Sequence, residues 1–174
     1  GDSRLSERTA DRRGGVTALP RARGWALVRA WAPAVAWMAV MFTASSDLGS
    51  SEHTGSLLEP LLRFFVPDLA PETFALIHLA IRKTAHLIEY AILAILLFRA
   101  LQATVGRRVG AWEWRAASLA WLLAAAFAAS DEYHQTFVES RGPSGRDVLI
   151  DAAGAAMGLA LIAKRRVRPL SKSI

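Results

Sequence analysis

The chain has 174 residues, 53% of them hydrophobic, a mean hydropathy of +0.26 and a formal net charge of +6. That length fits one domain, yet the apolar residues are gathered into long runs, as in membrane proteins rather than soluble ones. The lack of cysteine excludes disulfides, thiolate metal sites and cysteine nucleophiles, and basic residues confined to tails and connections exclude nucleic acid as a partner.

Residues 1–24 are rich in Arg, Gly, Asp and Ser and are expected to form a flexible basic tail. Its Arg12-Arg13 pair is followed by Gly14-Gly15 rather than by an apolar run, so no cleavable export signal is expected. The first spanning segment is expected over 25–44, with Pro33 tolerated inside it and Arg29 close enough to its start to snorkel. A Ser-rich break opens a long connection, 45–71. Within it, residues 57–66 are too few to span and read as an amphipathic piece lying at the interface or covering a site. The second span is placed within 74–98 and the third within 116–130, with its helix continuing through Asp131 to Gln135. The fourth is placed at 147–163, followed by a basic tail, 164–174. The expected fold is all-α, an integral membrane four-helix bundle with an amphipathic segment between spans one and two.

Lys and Arg in short flanks orient such a bundle. Arg4, Arg8, Arg12, Arg13, Arg21 and Arg23 precede the first span, and Arg99, Arg107, Arg108 and Arg115 separate the second from the third. Lys164, Arg165, Arg166, Arg168 and Lys172 follow the fourth, whereas the other two connections carry only Arg63, Arg141 and Arg146. Both termini are therefore expected on the cytoplasmic side of a bacterial membrane.

That orientation brings polar residues from all four spans to the outer half. An ionisable group near the centre of a bilayer helix costs at least about 2.5–3.5 kcal/mol, so each calls for a partner or a function. Lys83, His86 and Tyr90 share one helix face with Glu89 beside it, and Asp131 and Gln135 share another with His134, flanked by Glu132. Asp147, Asp151, Gly154 and Gly158 form one stripe, the glycines allowing close helix contact. Ser45 and Ser46 close the first span. The structural alternatives carry weight: Lys83 with Glu89 or Asp131 as a buried ion pair, His134 as an interhelical donor, Arg63 as an interfacial anchor, and His53 and His78 as incidental.

Lys83-Thr84-Ala85-His86-Leu87-Ile88-Glu89-Tyr90, then Asp131-Glu132-Tyr133-His134-Gln135-Thr136-Phe137, then Arg141 with Arg146-Asp147 and the two glycines, resemble the VanZ-like family in content and order. The resemblance covers about 25–163 and includes the Ser45-Ser46 pair. It implies a small multi-helix bacterial membrane protein, related to one associated with teicoplanin resistance, and supplies no reaction. It carries over Lys83, His86, Tyr90, Asp131, Glu132, Gln135, Arg141, Asp147 and Gly154 as functional positions, with Asp151 standing where relatives are expected to have Asn.

Two classes of function follow. In one, Lys83, Arg141 and Arg146 hold the phosphate of an anionic envelope lipid or cell-wall precursor, and His86 or Glu89 acts as general base. Asp131, Glu132, Asp147 and Asp151 orient those groups or hold a hard cation, and Ser45, Ser46 and Tyr90 complete the site. No metal or other cofactor is specified: no Glu-x-x-His motif occurs, and Lys83 competes with a cation. In the other class the polar network only specifies packing, in a non-enzymatic binding or assembly factor. A transporter is a third option, limited by the room four spans offer. The Pro143-Ser144-Gly145 element is read as a turn, since Arg146 stands where lipid-phosphate phosphatases have His.

Overall fold

The computed structural model describes residues 20–45, 51–105, 112–137 and 144–167. Among them the chain is all helix, without a strand: α1 Pro20–Ser45, α2 Ser51–Phe65, α3 Pro71–Thr104, α4 Trp114–Gln135 and α5 Gly145–Val167. Ser46, Arg141, the side chain of His53 and most of both tails lie outside the described residues.

The helices outrun the apolar segments that announce them. α1 begins at Pro20, inside the expected tail, because a proline is tolerated in a first turn where its missing N–H has no acceptor to lose. α3 likewise opens at Pro71 and runs through Thr104, and α5 continues to Val167, inside the other expected tail. Most of the expected 45–71 loop is helix α2. α4 does continue through Asp131 to Gln135, as its short apolar run requires.

α3 is the hub, packing against each of the other four helices and most extensively against α5. The contacts fix the directions. Gly154 lies against Leu87 and Gly158 against Ala91, in the same order along both chains, so α3 and α5 run parallel. Trp31 Nε1 donates to Thr104 Oγ1 and Trp37 Nε1 to the Glu89 carbonyl, each at 3.0 Å, so α1 runs opposite to α3. Trp121 Nε1 donates to the Ala152 carbonyl at 2.9 Å, near the middle of antiparallel α4 and α5. The core is built on large α3 side chains, Tyr90, Leu93, Leu97 and Phe98, set against an alanine stripe on α4. Ala116, Ala120, Ala124 and Ala128 recur every four residues, so the stripe stays on one face and lets the helices approach closely.

α1 (from Gly24) and α3 are long and apolar enough to cross a membrane. α4 and α5 have comparable lengths but more polar ends. α2 turns Leu57, Leu61, Phe64 and Phe65 outward, an apolar stripe with helical spacing, while Arg63 pairs with Glu59 at 2.9 Å. Arg63 also donates to the Leu69 carbonyl at 3.3 Å. Both contacts are local to the turn that leads into α3.

Candidate functional site

The up–down–up–down course of α1, α3, α4 and α5 gathers the C-terminal ends of α1 and α4 with the N-terminal halves of α3 and α5. On the α1–α4 side, Ser45 Oγ donates to Asp131 Oδ2 at 2.7 Å. Gln135 Nε2 donates to Ser45 Oγ at 2.8 Å and to the same Asp131 oxygen at 3.0 Å. The four-residue spacing of Asp131 and Gln135 puts both on the face that continues the alanine stripe. All three side chains are buried.

On the α3–α5 side, Lys83 Nζ donates to Asp147 Oδ1. Three to four residues further along each helix, His86 Nδ1 approaches Asp151 Oδ1 to 3.2 Å, at ion-pair distance but out of hydrogen-bond alignment. The glycines below set this register. A Cβ on Gly154 would stand 2.9 Å from Leu87 Cα, and one on Gly158 would stand 2.8 Å from Ala91 Cα, so the backbones touch where any larger residue would part them. Lys83 and Asp147 remain about one-third exposed, whereas Asp151 is buried. The pairs thus lead from a solvent-facing rim to a dry interior.

Tyr90 lies at that interior end, 1% exposed, and its hydroxyl makes no hydrogen bond. Asp131 Oδ1 and Asp151 Oδ1 are buried and without a hydrogen bond as well. Tyr90 Oη and Asp131 Oδ1, from α3 and α4, are therefore buried without a hydrogen bond, whereas Asp151 Oδ1 faces His86 Nδ1 at 3.2 Å.

The remaining residues divide. Glu132 Oε1 accepts from the backbone N–H of Ser144, just before α5, and so ties α4 to the start of the next helix. Arg146 is exposed in the first turn of α5. Glu89 contributes its carbonyl to Trp37, and among the described residues its carboxylate forms no hydrogen bond with the other members. The expected pairing of Lys83 with Glu89 or Asp131 is replaced by Asp147, because the glycine contact slides α5 into that register. His134 packs ring to ring on Phe42 at 4.4 Å instead of acting as an interhelical donor, and His78 stacks on Phe74 at 5.8 Å. Trp37, which anchors α3 beside the cluster, escaped the sequence reading because a tryptophan in an apolar run carries no distinguishing pattern.

Electrostatically the cluster is acidic: Glu89, Asp131, Glu132, Asp147 and Asp151 outnumber Lys83 and Arg146. Lys83 stands in an ion pair with Asp147 at the partly exposed rim. Among the described residues no three His, Asp or Glu side chains are arranged to hold a metal ion.

The described residues form an all-helical bundle with a buried polar cluster at one end, and two of its helices, α1 and α3, are long and apolar enough to cross a membrane. The VanZ/LLP1 family model matches residues 30–166, most of the chain and all four bundle helices. The protein belongs to the VanZ-like family, and that membership together with the apolar α1 and α3 supports a VanZ-like membrane protein. No curated protein and no solved structure matches the chain.

Proposed function

We propose that the chain crosses the bacterial cytoplasmic membrane four times, with both termini inside and the polar cluster facing outward, and that the cluster binds an envelope lipid or a lipid-linked cell-wall precursor. Helix lengths support the four spans. At 1.5 Å per residue, α3 measures about 32 Å from Lys83 to Thr104, α4 about 32 Å in all and α5 about 30 Å from Asp147 to Val167. Each matches a hydrocarbon core of about 30 Å. The cluster then lies at one interface, with the first turns of α3 and all of α2 beyond it.

The observation that carries the binding reading is the pair of buried atoms without a hydrogen bond, Tyr90 Oη and Asp131 Oδ1. Each unmet buried group costs about 1–3 kcal/mol, which natural structures seldom tolerate without a function. A ligand bearing a hydroxyl group could donate to Asp131 Oδ1 and accept from Tyr90. Its phosphate would meet Arg146 at the rim. His86, oriented by Asp151, is the group suited to accept a proton should the bound molecule be transformed. An influence on teicoplanin susceptibility belongs to the same reading.

One observation favours a non-enzymatic factor as the second reading: Lys83, Ser45, Gln135 and Glu132 are all engaged within the protein, as in a network that specifies packing. Native mass spectrometry of protein purified in nanodiscs of bacterial envelope lipid separates the cases. Wild type should retain a stoichiometric lipid or precursor that the double variant Asp131→Asn/Asp151→Asn releases. Equal occupancy in both would remove the binding site, and a converted product in the wild-type sample would establish catalysis.

A further inference from the structure

At the opposite end of the bundle, a groove of about 690 Å³ runs between the start of α4 and the end of α5. Its wall is indole, from Trp112, Trp114 and Trp121, and Ala117, Ala156 and Ala160 leave the space open. The wall is braced: Trp112 and Trp114 meet edge to face at 5.3 Å, and Trp121 is tethered to the Ala152 carbonyl. The lining is apolar except for Ser118 and Lys164.

Charge around this end is one-sided. Arg29, Arg99, Arg115, Lys164 and Arg165 stand against a single carboxylate, Glu113, among the described residues there. Lys164 lines the groove itself, and Arg115 and Arg165, next in sequence to Trp114 and Lys164, are exposed. An apolar trough with amphipathic indoles and a lysine in its lining suits an acyl chain whose headgroup is negative, since tryptophan favours the headgroup level and a cation there attracts anionic lipid.

We propose that the α4–α5 groove is a binding site for one anionic phospholipid of the leaflet opposite the polar cluster, with an acyl chain against the tryptophans and the phosphate on Lys164. The site rests on the four-span reading, because α4 and α5 must lie in the bilayer to meet a lipid, but not on what the polar cluster binds.

Because the chain has no cysteine, one label can be placed at Ser118→Cys in the groove, with Val35→Cys on the exposed face of α1 as reference. The labelled full-length protein is reconstituted in nanodiscs, and a small fluorophore is quenched with brominated phosphatidylglycerol or brominated phosphatidylcholine. At position 118 half-quenching should need about fivefold less phosphatidylglycerol than phosphatidylcholine, the equivalent of about 1 kcal/mol for one interfacial cation. Lys164→Gln should abolish that preference, and position 35 should show none. Equal half-quenching fractions at 118 in the wild-type background would reduce the groove to ordinary boundary lipid. A preference untouched by Lys164→Gln would overturn the assigned headgroup contact. Quenching at 35 but with neither lipid at 118 would instead take α4 out of the bilayer, and the four-span reading would fail with it.

Discussion

Asp131 and Asp147 are both carboxylates of the polar cluster, but their surroundings give them different work. Asp131 is held by a serine hydroxyl and a glutamine amide, neutral donors that fix its position without cancelling its charge. Asp147 faces Lys83, and the two charges cancel at the partly exposed rim. Removing one member of such a pair leaves the other stranded. Lys83→Met should therefore destabilise the protein by about 1–2 kcal/mol, between the limits for exposed and fully buried pairs. Lys83→Met/Asp147→Asn should recover most of that loss, because neither charge is then left alone. Unfolding of the two single variants and the double variant in the same detergent, analysed as a cycle, reads the coupling directly. Additive effects would mean that the pair does not form.

At the scale of elements, the α3–α5 contact decides which residues can meet. Gly154 and Gly158 bring backbone against backbone, and that contact sets Lys83 opposite Asp147 and His86 opposite Asp151. Gly154→Val should force the helices apart, costing about 1–3 kcal/mol as overpacking does, and should separate both pairs at once. Gly24→Ala is the matching control, since nothing lies within 4 Å of the added carbon. If Gly154→Val melted with the control, the close approach would be wrong. This contact also explains what could be read beforehand. Helical periodicity made the faces legible, placing Lys83 with His86, Asp131 with Gln135, and the aspartates with the glycines. It carried no information on how one helix is rotated or slid against another, so the partner of Lys83 and the separation of Glu89 from the network were not legible. Helix ends were misjudged for a related reason: apolar content marks where a segment prefers lipid, whereas hydrogen bonding continues the helix into polar turns.

The whole molecule is polarised along its axis. One end sets five carboxylates against Arg82, Lys83 and Arg146, and the other sets five cations against Glu113, among the described residues, and antiparallel neighbours leave each helix end little freedom to change sides. Cations flanking membrane segments are retained on the cytoplasmic face, so the basic end, with the tryptophan groove, should be inside and the acidic cluster outside. The native absence of cysteine makes the test direct. Ser144→Cys lies at the acidic end and Val105→Cys, on an exposed residue just past α3, at the basic end. A membrane-impermeant maleimide applied to intact cells should label Ser144→Cys, and should reach Val105→Cys only after permeabilisation. The reverse pattern would turn the cluster toward the cytoplasm and remove envelope precursors from its reach. Labelling of both positions in intact cells would mean that α4, the one helix between them, does not cross.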